Sequence, residues 1–213
     1  STAYIALADA ALGMYDGSDT YSTGRNQMNA GSYAAAATSF QAAAEKFGQS
    51  QSFFGQATTT LQSVSFAGTS FGDGTAYIAA IVPVLNNKAA YVGEFGTYAR
   101  GWQHTALAYQ ASAAGDQAGF RTQVSQAMGQ FGMLRTSASF GADATSNYNI
   151  LATMLDGMTP VTTVPTTAPS TSWSFEGEWR DTSGTYFWFQ APEGNQVRGG
   201  WQFGEIAGES EGS

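Results

Sequence analysis

The chain has 213 residues, with 8 Lys and Arg against 16 Asp and Glu, a net charge of −8, and no cysteine. Charged residues are only 11% of the chain, against about 25% in ordinary soluble domains. Those values exclude a disulfide framework and thiolate metal sites, and they argue against nucleic-acid binding, which needs Lys and Arg against phosphates.

Gly, Ala, Ser, Thr and Gln fill the surface instead, a composition that fits an extracellular or cell-surface setting. No run of 18 apolar residues occurs, so no transmembrane segment is expected. No signal peptide is visible, and the opening Ser1-Thr2-Ala3-Tyr4 reads as a mature terminus. The length allows one sizeable domain and a small one.

Residues 2–15 are predicted to form a short helix. Ile5, Ala8, Leu12 and Tyr15 share a face at helical spacing, and Ser1 or Thr2 can cap it. The run Asp16-Gly17-Ser18-Asp19 is expected to end it. This acidic turn lacks the alternating ligands and closing Glu of a calcium loop, so it reads as a solvated turn.

The stretch 31–66 carries the strongest pattern in the chain. Tyr33, Phe40, Phe47, Phe54 and Leu61 recur at every seventh position, and three residues after each stands Ala36, Ala43, Ser50, Ala57 or Val64. Large residues at one seam position and small ones at the other wind an apolar stripe that lets a neighbouring helix approach closely. Gly48 and Gly55 flank the seam. A continuous helix and a break at Gly48-Gln49-Ser50 are both compatible with the pattern. Gly31, Tyr33, Ala36, Phe40 and Ala43 resemble half of a tetratricopeptide-type helical hairpin, with an echo at Ala111, Gly115, Asp116 and Phe120. That resemblance implies antiparallel helical hairpins.

Gly68, Gly72, Asp73 and Gly74 mark a turn. A second long periodic run covers 76–114, through Ile78, Ile81, Leu85, Val92, Phe95, Trp102, Ala106 and Tyr109. Pro83 is expected to kink or restart it, and Gly115-Asp116 to close it. A third helix is read at 117–137 (Phe120, Val124, Phe131, Leu134) and a fourth at 142–155 (Tyr148, Leu151, Leu155).

From Thr159 the character changes. Residues 159–172 form a Thr/Pro linker in which Pro160, Pro165 and Pro169 favour extended chain. In 173–213, Trp173, Phe175 and Trp179 alternate, as do Val197, Trp201 and Phe203. The linker resembles the spacers of exported surface proteins of methanogenic archaea. The run from Phe175-x-Gly177-x-Trp179 to Gly199-x-Trp201 resembles a Gly-x-Trp β-repeat of secreted proteins. The predicted organisation is thus a helical bundle at 1–158, a linker at 159–172 and an aromatic-rich β module at 173–213. The fold class is mainly α: an up-and-down bundle of long antiparallel helices, followed by a small antiparallel β module.

No catalytic constellation emerges. His104 is the only histidine, so no histidine metal site can be assembled, and no Gly-x-Ser-x-Gly elbow accompanies it. Glu176 and Glu178 share a strand face, but in so small a module they read as solvated acids rather than a glycosidase pair. No phosphate loop is present. Neither an enzyme, a cofactor nor a metal is expected.

Trp173, Trp179, Tyr186, Trp188 and Trp201 are the candidate binding residues, for assembly contacts or for a glycan. The expected function is a self-assembling exported structural protein, a subunit of a surface layer, sheath or filament. Its partners would be copies of itself, with other surface proteins or glycans beside them. An extracellular module binding a peptide, solute or glycan is the alternative.

Overall fold

The first helix runs about twice as far as its punctuation suggests. In the computed structural model, which describes residues 2–64 and 74–157 in full and 177–180, 186–189, 197–203 and 206–212 by backbone alone, α1 covers Thr2–Asn29. Asp16-Gly17-Ser18-Asp19 does not end it. Thr20 and Thr23 tie their hydroxyls to the carbonyls of Asp16 and Asp19 one turn back, at 2.6 and 3.0 Å, and the helix passes through. It stops at Gly31, whose φ of 75° only glycine adopts without strain. There the Ser32 N–H reaches back to the Gln27 carbonyl at 2.9 Å, closing the helix end in the usual C-terminal manner.

The four helices that follow are α2 (Tyr33–Ser63), α3 (Thr75–Ala113), α4 (Gln117–Leu134) and α5 (Gly141–Gly157). α2 is continuous through Gly48 and Gly55, and α3 through Pro83, which neither breaks nor restarts it. The closure at Gly115 is as expected: φ is 73°, and Asp116 caps α4 by accepting from the Gly119 N–H at 2.8 Å. At the start of α5, Ser137 Oγ accepts from the Phe140 N–H at 3.0 Å and donates to Glu94 Oε2 at 2.8 Å.

Over the fully described residues the chain is about 90% helical and contains no strand. The expected fold class, a bundle followed by a small antiparallel β module, is therefore corrected to an all-α body of five helices. The expectation rested on alternating aromatics, and alternation licenses extended backbone only. Beyond the helices, β1 (Gly177–Arg180), β2 (Tyr186–Phe189), β3 (Val197–Phe203) and β4 (Ile206–Gly212) are backbone segments that pair antiparallel in chain order. Their side chains, and the linker at 159–172, lie outside the described residues.

The chain divides into two compact units, one comprising 1–12, 50–90 and 171–213, the other 13–49 and 91–170. In the second unit α1 and α2 form an antiparallel pair built on bare backbone. A β-carbon on Gly17 would lie 2.8 Å from the Phe47 ring, and one on Gly24 would lie 2.9 Å from the Phe40 ring. Seven residues forward on α1 thus meets seven residues back on α2. The heptad seam exists, with Phe40, Phe47, Ala36 and Ala43 all buried, but its sockets are glycines, of which Gly17 stands in the run expected to end the helix.

The 91–113 part of α3 is the centre of the second unit. Phe95 stacks on Phe47 of α2 at 4.2 Å and meets the Tyr21 ring of α1 edge-on at 5.3 Å. Trp102 packs on Phe40 of α2 and on Phe131 of α4. Tyr98 meets both Phe131 of α4 and Phe140 at the entry to α5. Gly101 lets α4 come in, since a β-carbon there would lie 2.6 Å from the Phe131 ring.

In the first unit, Ser50 Oγ donates to the Ala10 carbonyl at 2.6 Å, fixing α2 to α1. The buried side of α1 there is small: Ala3, Ala6, Ala10 and Ala11.

Candidate interaction surface

The apolar stripe predicted on α1 is present, but it faces away from the core. Ile5 is 62% exposed and Tyr4 50%; Ala8 is exposed and Leu12 half-buried. Tyr4 is held by a 3.3 Å hydrogen bond between its hydroxyl and that of Tyr77. Alanines carry out the packing on α2, because they admit the close approach that Ile or Leu would block. The amphipathic reading chose the bulkier residues as the core face, which inverted the helix.

The helices of the first unit carry little charge. Among the helical residues described in the first unit, the charged side chains are Asp9 and Lys88. Burial pulls the Lys88 ammonium down to a pKa of about 8. In the same unit the start of α3 is apolar on every side: Tyr77, Ile78, Ile81, Val82 and Val84 are all only half-buried. A helix apolar all round is normally buried.

The residues expected to bind lie elsewhere. Trp173 falls outside the described residues. Trp179, Tyr186, Trp188 and Trp201 are placed by backbone register alone. Trp179 pairs with Phe187 and Phe187 with Trp201, giving one cross-strand row. Tyr186 and Trp188 belong to alternate rows, opposite Gln202 and Gly200. Glu176 is outside the described residues, and Glu178 stands opposite Trp188.

His104 is half-buried, and its Nδ1 lies 2.8 Å from Gln123 Oε1. This joins α3 to α4. Asp16 forms an ion pair with Lys46 of α2 at 3.0 Å. Among the described residues no three His, Asp or Glu side chains cluster as metal ligands, and no helix is long and apolar enough to cross a membrane.

One polar cluster escaped the sequence reading. Asn147 of α5 donates from Nδ2 to the Tyr98 hydroxyl at 3.1 Å, and both residues are fully buried. Beside them the Arg25 guanidinium lies 4.0 Å over the Trp102 ring, a cation–π contact strengthened by burial. Burial raises the Tyr21 pKa well above its ordinary value and raises that of Tyr98 too, so neither phenol is an acid or base near neutrality. The cluster fixes how α1, α3 and α5 meet. Its residues come from three helices far apart in the sequence with no shared motif, so no sequence signal could have assembled them.

A shallow cleft of about 420 Å³ opens at the turn between α1 and α2, bounded by Gly31, Tyr33, Ala35, Gln110 and Ala113. Tyr33 stacks on Tyr109 beside it, with ring centroids 5.3 Å apart. Compared with known proteins, the chain matches no family model, no curated protein and no solved structure.

Proposed function

We propose that the chain is a non-catalytic structural subunit that assembles with copies of itself in an extracellular or cell-surface setting. The observation that carries this reading is the outward face of α2. That 31-residue helix exposes Gln41, Gly48, Ser52, Gly55, Gln56 and Thr59, and its charges are confined to Glu45 and Lys46. Dense surface charge keeps soluble proteins apart through hydration and like-charge repulsion. A long helical face without it presents small, weakly hydrated side chains that another protein surface can cover at little desolvation cost. The resemblance of the 159–172 linker and the Gly-x-Trp run to exported archaeal surface proteins supports the setting, and the sheath, layer or filament form is part of the same proposal.

Light scattering coupled to size-exclusion chromatography tests it. The full chain is expected to grow in mass with concentration. A constant monomer mass up to millimolar concentration sinks the reading.

The cleft beside the Tyr33–Tyr109 stack favours a second reading, an extracellular module that binds a peptide, solute or glycan. A saturable fluorescence change with a glycan or peptide panel, lost in Tyr33→Ala, would favour it over assembly.

A further inference from the structure

We infer that Tyr4 and Tyr77 form an oxidative cross-linking site, at which a peroxide-driven coupling joins the two phenol rings by a carbon–carbon bond. The site lies within a single chain and does not depend on self-assembly.

The sequence marks the pair. Thr2-Ala3-Tyr4-Ile5-Ala6 returns unchanged as Thr75-Ala76-Tyr77-Ile78-Ala79. Thr2 opens α1 and Thr75 opens α3, so each tyrosine stands at the same place in the first turn of its helix. The fold brings the two strings together. Their hydroxyl oxygens are 3.3 Å apart, although 73 positions separate the residues in the chain. Tyr4 is 50% exposed and Tyr77 half-buried, so a dissolved oxidant reaches the first ring while the second is held against it.

This geometry suits coupling. An oxidised phenol carries its unpaired electron on the oxygen and on the ring carbons ortho and para to it. The para carbon already bears Cβ, so a new bond forms at an ortho carbon, Cε1 or Cε2. With the hydroxyls in contact, rotation of the side chains alone sets an ortho carbon of one ring beside one of the other.

The surroundings direct the radical to this pair. The fully described residues of the first unit are 2–12, 50–64 and 74–90. Tyr4 and Tyr77 are the tyrosines among them, and they include no Trp, Met or His. An unpaired electron on either ring therefore finds the other as the oxidisable side chain beside it.

The step balances with hydrogen peroxide as oxidant and a haem peroxidase as electron carrier. Each phenol gives up one electron and one proton, and the two radicals pair their electrons in a Cε–Cε bond. The hydrogens on those carbons move to the phenol oxygens and restore both rings. Peroxide takes the two electrons and two protons, its O–O bond breaks, and two waters leave. The product ties the first turn of α1 to that of α3. A cross-link closing so long a loop restrains the unfolded chain as a disulfide does, in a chain that has no cysteine.

The test treats the full chain, at high dilution, with hydrogen peroxide and a haem peroxidase. Dityrosine fluorescence and a mass lower by two hydrogens, in a chain of unchanged monomer size, are the expected result. Trypsin should then release residues 1–25 joined to residues 47–88, a fragment in which Tyr77 is the only tyrosine. Tyr4→Phe and Tyr77→Phe keep the rings and should each abolish the joined fragments and the fluorescence. Tyr148→Phe, on α5, should leave both in place. If no coupling occurs, if either of the first two variants fluoresces as the wild type does, or if only covalent dimers form, the inference is overturned. Self-assembly is read separately, from the mass of the untreated chain against concentration, so either idea can fail without the other.

Discussion

The β-carbon that Gly17 lacks would lie 2.8 Å from Cε1 of Phe47. Phe47 cannot give way, because its ring is fully buried and stacks on Phe95 at 4.2 Å. Gly17 is therefore a socket, and so is Gly24 beneath Phe40. An alanine in a helix interior is worth about 1 kcal/mol over glycine, while overpacking a core costs about 1–3 kcal/mol. Gly17→Ala and Gly24→Ala should thus destabilise by up to about 2 kcal/mol net. Gly48 and Gly55 on α2 face open space, so the same change there should stabilise by about 0.5–1 kcal/mol. Urea melts of the four variants check this; equal signs in the two pairs would refute the socket reading.

Truncating the other side of the contact should cost more. Phe47→Ala and Phe40→Ala each empty a fully buried site and should cost about 3–5 kcal/mol. Gln62, exposed at the end of α2, should tolerate Ala within about 0.5 kcal/mol. Denaturant midpoints that fail to separate the two classes would mean the seam does not hold α1 and α2 together.

The buried pair of Tyr98 and Asn147 predicts an asymmetry. Tyr98→Phe removes the acceptor and strands the Asn147 amide in the core, at a cost of about 1–3 kcal/mol. Adding Asn147→Leu to Tyr98→Phe removes the stranded donor as well, so the double variant should recover part of the loss. A double-mutant cycle by thermal melt reads the coupling directly; strict additivity would show that the 3.1 Å bond contributes nothing.

Stability should pass through a maximum in mildly alkaline solution. The Lys88 pKa is pulled down to about 8 by burial. Its folded form therefore carries a penalty below pH 8, which fades as pH rises toward the unfolded value of about 10.4. Tyr109 is pushed up to about 12, by burial first and by Tyr33 second. The unfolded phenol ionises near pH 10 while the folded one does not, so stability is lost between pH 10 and 12. Tyr21 and Tyr98, also raised, add to that falling limb. Lys88→Met should flatten the rise between pH 8 and 10 and leave the fall above 10; urea midpoints across pH 6 to 12 are the measurement.

The heptad at Tyr33, Phe40, Phe47 and Phe54 was legible because a seven-residue repeat of large side chains has no other economical explanation in a helix. The close of α3 at Gly115-Asp116 follows from local chemistry and was legible as well. The length of α1 was not. Gly17 stands in a run with the composition of a turn, and only the Phe47 ring opposite reveals that its missing β-carbon is the point. Nor was the outward face at Ile5 and Leu12: periodicity locates a stripe but is silent on which side the partner lies. The buried cluster of Arg25, Tyr98, Trp102 and Asn147 depends wholly on tertiary placement. The expected β module is the reading that the helical described region overturns, since alternation of aromatics fixes no more than an extended backbone.

The paired sockets of α1 and α2 also pose a problem of registration. Their rungs repeat every seven residues with nearly the same shapes, like teeth on a rack. Slide α2 by one repeat, and Phe40 would find Gly17 while Phe47 would find Ala10, which carries the very β-carbon that Gly17 leaves out. One socket is kept and one is lost, so the seam opposes its own translation at a single rung. The other stop is the turn at Ala30, Gly31 and Ser32, too short to release a further seven residues. Residues grafted into that turn would leave the β-carbon of Ala10 as the one remaining stop.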